Sequence, residues 1–523
     1  MDMSQLLVAL LACPLITACV SAVLPSKSVP RAAFVFVHMV MVVCVCAGGL
    51  LLAGSVFAGA DVFALDEWLH VDRLSAVFVA LIAVIGACTG VYSIPYVAHD
   101  VADGKLEAGQ VKQYYVFFSL FVFSMLVATT SNNIIMMWVS IELTTLSTVF
   151  LVGVYRTKLA LEAAWKYVIV CTAGVAFGLF STLLVYANAA DVMADAHQAV
   201  FWTAILPYAG QMDHVLMMIA FVFAAIGFGT KAGLFPMHTW LPDAHSEAPS
   251  PVSGLLSGVL LKCAILVIIR FYILVAASVG YGFVQTIMLI LGVLSVVFSA
   301  FAVYKQHDLK RKLAYHSCEN VGIIAVCLGF GGPIGVAAAL IHCVAHGLVK
   351  SLMFCLSGNV LMKYGTRDLT KVQGIMQAAP FTGVLMVVGF LALAGFPPFA
   401  MFVSEMAMVL SGIQAQLIPV VIVVIAALVV VVAAIMNVIS GSVLGCAPEG
   451  TPRKDVSPLA LLPEVVLVAF IVWFGVAMPG PLCGSIGDAT GVVLQQDMSE
   501  FADNGLFDEF NAVFAGGTEG VER

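Results

Sequence analysis

The sequence predicts an all-α polytopic membrane protein of about fourteen transmembrane helices, and three observations lead there. Of its 523 residues, 62% are hydrophobic and only 10% charged. An ordinary soluble domain carries about 25% charged and 45–50% apolar residues, so lipid must be the solvent for most of this surface. The apolar residues fall into runs long enough to span a bilayer, which takes roughly 20 residues. Charges in the intervening loops alternate as one crossing per run requires.

The runs lie near 5–24, 33–58, 74–94, 114–130, 133–154, 164–188, 214–244, 250–277, 283–304, 313–330, 334–360, 381–413, 417–445 and 460–478. The first starts at Leu6 with no basic segment before it and reads as a retained helix, not a cleaved signal peptide. Runs 7 and 12 are too long for one straight span and contain Leu234-Phe235-Pro236 and Phe396-Pro397-Pro398. Proline inside a helix removes a hydrogen bond and clashes with the preceding turn, so both are predicted to be broken helices. A break at membrane depth survives only where protein or a water-filled cavity satisfies the freed backbone.

Ala232-Gly233-Leu234-Phe235-Pro236 and Ala394-Gly395-Phe396-Pro397-Pro398 form a weak internal repeat, five helices apart. An odd offset puts the two units in opposite orientations, the pattern of an inverted-repeat transporter. The expected division is residues 1–112 for helices 1–3, 113–278 for a first inverted repeat (helices 4–8), 279–446 for a second (helices 9–13), 447–480 for helix 14, and 481–523 for an acidic C-terminal tail.

Lys27 and Arg31, Arg156 and Lys158, Lys310 to Lys312, Lys363, Arg367 and Lys371, and Arg453 and Lys454 fall on one face. Asp61, Asp66, Glu67, Asp72, Asp191, Asp195 and Asp213 fall on the other. The positive-inside rule makes the basic face cytoplasmic and both termini external. The tail from about Gly484 is then an external surface segment. Asp308 and Lys310 to Lys312 read as a solvated face. The net charge of −8 argues against nucleic acid as a partner, which needs a basic surface.

Charged groups deep inside the apolar runs carry the functional reading, because each costs about 2.5–3.5 kcal/mol or more at the bilayer centre. Glu142 sits mid-run in Trp138–Thr145, and its charge would tune how tightly the nearest candidate, Lys231, holds a proton. Lys231 ends the first half of broken helix 7, where exposed carbonyls favour a cation; Glu405 enters the second half of broken helix 12, where free amides favour an anion. Lys262 is central in its helix, and a desolvated lysine gives up its proton readily. His342, His346 and Lys350, spaced by four, share one helix face over roughly 12 Å. His316, Glu319 and Asn320 form a second cluster on the preceding helix. Histidine exchanges protons near neutral pH, and together these groups suit a proton wire.

Two other groupings carry less. His238, Asp243, His245 and Glu247 have metal-ligand chemistry but lie among Pro236, Pro242, Pro249 and Pro251, where polar capping of a turn explains them. The 13 cysteines form no CxxC pair and lie mostly in apolar runs, where cysteine behaves as a small hydrophobe. No cofactor or metal is expected in this chain.

The stretch Lys231-Ala232-Gly233-Leu234-Phe235-Pro236-Met237-His238-Thr239-Trp240-Leu241-Pro242-Asp243-Ala244-His245, followed by Ala248-Pro249-Ser250-Pro251-Val252-Ser253, closely resembles the signature of antiporter-like membrane subunits. These occur in respiratory complex I, Mrp cation/proton antiporters and energy-converting [NiFe]-hydrogenases, and the similarity runs from about residue 70 to 440. The resemblance implies two inverted five-helix repeats with broken helices 7 and 12. It also makes Glu142 and Lys231 a glutamate–lysine pair, Lys262 a central lysine, His346 the histidine of helix 11 and Glu405 the far end of the channel. Ala314-Tyr315-His316-Ser317-Cys318-Glu319-Asn320 and His346-Gly347-Leu348-Val349-Lys350 resemble the hydrogenase-4 component F type. The usual helix-10 histidine is replaced by Asn320, which puts the water path there in question; His316, one turn away, is the candidate substitute.

The function so implied is proton translocation as one subunit of a hydrogenase-4 or formate-hydrogenlyase type complex in a prokaryotic inner membrane, with protons, or alternatively sodium ions, as cargo. This chain would hold no redox centre. Other membrane subunits and a soluble hydrogenase arm would be its partners, and that arm would carry the NiFe centre and iron–sulfur clusters. The rivals are an Mrp-type Na+/H+ antiporter subunit, a complex I M-type subunit, and a scaffold that has lost transport.

Overall fold

The computed structural model describes residues 2–26, 29–59, 61–447 and 452–496. Lys27 and the tail beyond residue 496 lie outside them. Among the described residues, thirteen helices are long and apolar enough to cross a membrane, and two shorter apolar ones, Pro380–Leu393 and Ala400–Gln414, follow one another between Gly332–Tyr364 and Ile418–Val443. The chain is an all-α multi-pass membrane protein.

Burial sorts the helices. Ser250–Val279 and Gly332–Tyr364 are buried throughout their apolar windows and Leu309–Phe330 over 94% of its own, whereas Met3–Val23, Lys158–Val192, Tyr281–Lys305 and Ile418–Val443 are 33–39% buried. The central helices are also the ones that carry Lys262, His316, Glu319, His342, His346 and Lys350. Ionisable groups are therefore concentrated where other helices, not acyl chains, surround them.

The helix His214–Ala232 ends on Gly233, whose φ of 87° is the left-handed conformation that glycine adopts without strain. The chain turns through Met237–Thr239 and resumes as Trp240–Glu247. Side chains satisfy polar groups around the turn: Phe235 N–H donates to Ser295 Oγ at 2.9 Å, and Trp240 Nε1, at the start of the resumed helix, donates to the Thr230 carbonyl at 2.8 Å. Pro380–Leu393 ends similarly at Gly395 (φ 68°) before Ala400–Gln414 begins.

Several elements differ from the sequence reading. The helix expected over 74–94 runs from Arg73 to Ala102, straight through Pro95. Asp72 caps it by accepting from Ser75 N–H at 2.8 Å. The acidic loop before it holds an antiparallel hairpin, Val62–Ala64 with Leu69–Val71. The segment assigned to a surface tail begins with a helix, Gly480–Leu494, which packs on Arg73–Ala102 and Gly332–Tyr364. Its Ile486, Ala489, Val493 and Leu494 form a buried apolar face, and Asp488 pairs with Arg73 at 3.3 Å.

Lys310 and Lys312 are not solvated. They are 1% and 6% exposed and donate to the carbonyls of Ala248 and Val303, each at 2.8 Å. Both acceptors lie where a helix ends, so partial negative charge replaces water around the ammonium groups. Asp308 faces Arg367 at 2.5 Å.

Candidate functional site

The sequence-predicted groups fall into two clusters, with Lys262 outside the hydrogen bonds of both. In the first, Lys231 is fully buried, and its Nζ donates to Thr145 Oγ1 at 2.9 Å and Tyr167 Oη at 2.6 Å. The ammonium also lies 4.7 Å from the Tyr167 ring centre and 5.7 Å from that of Trp240. Thr145 then donates to Glu142 Oε2 at a long 3.4 Å, and Thr172 donates to Glu142 Oε1 at 3.0 Å. Glu142 and Lys231 thus form no direct ion pair; one hydroxyl bridges them. Glu142 is partly exposed on the face that also carries Val139 and Leu146, at the outer surface of the bundle. Lys231 reaches hydroxyls on two neighbouring helices, not the carbonyls at its own helix end, because its side chain points across to Ile134–Val152 and Lys158–Val192.

Lys262 is also fully buried, and its Nζ donates to the Ser257 carbonyl at 2.5 Å. That carbonyl belongs to a π-turn, Leu256–Leu260, where the helix widens by one residue. Such turns recur at functional sites. Ser257 Oγ lies 2.7 Å from Ser317 Oγ, so the same turn touches the helix of His316.

The second cluster centres on Asn320. Its Nδ2 lies 2.6 Å from His316 Nδ1 and 2.5 Å from Glu319 Oε2, and its Oδ1 lies 3.1 Å from His342 Nε2. His316 Nδ1 and Glu319 Oε2 are 3.1 Å apart. The other nitrogen of His342 lies 2.9 Å from Ser404 Oγ on Ala400–Gln414. His346 stacks near His342 with ring centres 6.1 Å apart, and Lys350 donates to the Leu313 carbonyl at 2.8 Å. All of these residues are at most 4% exposed. Among the described residues, His316 Nε2, Glu319 Oε1 and both nitrogens of His346 have no hydrogen-bond partner in the protein. Glu405, next to Ser404, is partly buried. Its carboxylate lies where a Cβ on Gly395 would sit.

The structure therefore joins Glu142 to Lys231 through Thr145, and His316 and Glu319 to His342 through Asn320. It shows no direct hydrogen bond from Lys231 to Lys262, or from Lys262 to His346, among the described residues. The sequence reading missed Thr145, Tyr167, Ser257 and Ser404. Hydroxyl residues in apolar helices are ordinary, and nothing in their spacing marked these. The turn residues have pairing roles: Asp243 meets Arg311 at 2.8 Å and Lys166 at 3.3 Å, and Glu247 meets Arg367 at 2.5 Å. His245 does not cap the turn. It is fully buried, stacks on Phe354 at 4.6 Å, and neither ring nitrogen has a partner. No group of three or more His, Cys, Asp or Glu is placed to hold a metal among the described residues.

Residues 131–431, which contain all nine predicted site residues, match the family described as NADH:quinone oxidoreductase/Mrp antiporter, TM. The chain belongs to that family. Residues 59–103 also match the N-terminal region of complex I chain 5. This antiporter-like chain is 38% identical over 411 residues to a hydrogenase-4 component F homolog of Methylacidiphilum infernorum, covering 78% of this chain and 85% of that one. It is 28% identical over 352 residues to hydrogenase-4 component B of Escherichia coli, covering 65% and 50% of the two chains. A Na(+)/H(+) antiporter subunit A1 of Staphylococcus aureus is 28% identical over 456 residues, 81% of this chain and 54% of that one. The chain thus spans only about half the length of these last two relatives. Its fold matches a subunit of the archaeal membrane-bound sulfane sulfur reductase with a TM-score of 0.82 at 23% identity, covering 96% of this chain and 100% of that one. It matches a subunit of the Mrp complex from Dietzia with a TM-score of 0.79 at 18% identity, covering 96% and 99%.

Proposed function

We propose that this antiporter-like chain carries protons across a prokaryotic inner membrane as a subunit of a hydrogenase-4 or formate-hydrogenlyase type complex. The observation that carries the reading is the Asn320 junction. It holds an imidazole and a carboxylate on one side and His342 on the other, at a depth where unpaired polarity is costly. His342 extends it to Ser404, the neighbour of Glu405. Buried polar atoms without protein partners are ordinarily satisfied by ordered water, so the open nitrogens of His316 and His346 mark where water would join the row. The relative named as a component F homolog supports the choice of hydrogenase assembly.

In this reading other membrane subunits and a soluble arm are the partners, and that arm holds the NiFe and iron–sulfur centres. Turnover there changes the field at Glu142 and loosens its hold on Lys231 across the Thr145 bridge. Lys231 passes its proton toward Lys262, and from there the histidine row leads to Glu405. The two interrupted segments belong to inverted five-helix repeats, residues 113–278 and 279–446, and both termini face outward.

The test is the intact complex in sealed vesicles, with internal pH and sodium followed during hydrogen evolution. Acidification driven by turnover supports the reading. Sodium movement that persists without any redox partner would replace it with the Mrp-type exchanger.

A further inference from the structure

One buried carboxylate lies outside the family match and outside both proposed repeats. Glu464, in the last long helix Pro458–Val476, is 0% exposed. Asn359 Nδ2 donates to both of its oxygens, at 2.8 and 2.9 Å. The single Tyr92 hydroxyl proton is shared between Asn359 Oδ1 at 2.9 Å and the Cys355 carbonyl at 2.8 Å. No lysine, arginine or histidine pairs with Glu464 among the described residues. The titratable groups facing it are Tyr92, Cys355 and Asp455, none of them cationic. A lone buried carboxylate is costly unless it is paired or takes up a proton.

The cluster also reaches the surface. Asn359 Nδ2 lies 3.4 Å from Thr382 Oγ1, and Thr382 donates to Asp455 Oδ1 at 2.7 Å. Thr382 and Glu464 share one amide nitrogen and so lie within two hydrogen-bond lengths of each other. Asp455 is partly exposed and lines a cavity of about 280 Å³ together with Pro95, His99, Met362, Lys363 and Lys454. This is the loop face that carries the basic residues.

We propose that Glu464 is a proton-accepting carboxyl at the inner end of an uptake route from the basic face, entered through Asp455 and Thr382. The inference rests on the proton-translocating function proposed above and adds an entrance to it. Asp455 takes a proton from bulk water. The Thr382 hydroxyl, once rotated, accepts that proton on its oxygen as it releases its own, and the released proton crosses one water to the Glu464 carboxylate. Only O–H bonds form and break. Asn359 holds the ionised form in place between deliveries.

The competing role is a clamp that fastens the last helix to the bundle, and Glu464→Gln separates the two. Glutamine keeps an acceptor for the Asn359 amide but cannot take up a proton. In the intact complex, Glu464→Gln is expected to assemble normally and to lower the proton translocation rate at least about tenfold, with partial recovery in Glu464→Asp. Infrared difference spectra of the unmodified complex should show a buried carboxyl band that Glu464→Gln removes; this reading does not depend on pumping. Unchanged translocation in Glu464→Gln, or no such band, overturns the proposal. Failure of the unmodified complex to pump at all would instead remove the function on which it rests.

Discussion

The two clusters are built differently, although one short motif repeats in both. Around Lys231 the contacts are hydroxyls and aromatic faces, and the carboxylate partner stands off behind Thr145 at the outer edge of the bundle. Around Asn320 the contacts are imidazole, amide and carboxylate, all buried, and several valences remain open. The first arrangement holds one charge and can be biased by a neighbouring charge. The second gathers imidazoles and a carboxyl that can each take and pass a proton around an amide that orients them. A switch and a wire would require different surroundings, and the roles proposed for Lys231 and for the row at Asn320 follow that difference.

Substitutions can break that contrast, and the largest effect is expected at Lys231. Lys231→Ala should lower proton translocation by about 100-fold or more, in the range of a lost acid–base group, while hydrogen chemistry in the partner arm persists. Measured as protons moved per hydrogen formed, an unchanged ratio would remove Lys231 from the path. His342→Leu comes next, because it cuts both Asn320 and Ser404 from the row; a fall of at least about tenfold is expected, and normal rates would show that water bypasses the imidazole. Thr145→Val sharpens the switch side. It removes the bridge but neither charge, at a stability cost of about 1 kcal/mol, and should uncouple redox turnover from translocation only several-fold.

The smallest effect on transport is expected at a buried pair that belongs to neither cluster. Arg270 donates to both oxygens of Asp72 at 2.7 Å and to Ser75 Oγ at 2.8 Å, with its guanidinium 4.5 Å from the Trp202 ring centre. Burial alone would raise the pKa of Asp72, but Arg270 holds it down at about 2. The pair's stabilisation is therefore complete above the ordinary value of 3.8 and lost as pH falls through about 2. Asp72→Ala should cost about 3–5 kcal/mol of stability, read as a lower unfolding temperature. Translocation per assembled complex should be unchanged; if it falls, the pair is part of the route.

How much of this was legible in the sequence depended on residue type. Charged residues in apolar runs are conspicuous, so Lys231, Lys262, Glu319 and Glu405 stood out from the residue string. Their partners did not, because Thr145, Tyr167 and Ser404 acquire meaning only when other helices approach. Asn320 shows the limit most clearly: as a departure from the usual histidine it looked like a gap, whereas an amide with a donor and an acceptor joins His316 and His342 at once. Lys310 and Lys312 misled for the opposite reason. Short basic runs at helix ends usually face water, and here helix-end carbonyls take its place. The helix Gly480–Leu494 escaped notice because glycines and one aspartate dilute its apolar face.

The most direct test of a single route is a double substitution. Lys231 and His342 lie in different clusters with no hydrogen bond joining them among the described residues; on one shared route, each change alone should lower proton movement by the reconstituted complex at least about tenfold. Groups in series predict that Lys231→Ala combined with His342→Leu is no worse than Lys231→Ala alone. If each single change leaves about half the flux and the pair removes the rest, protons travel by two independent paths, and the account is wrong.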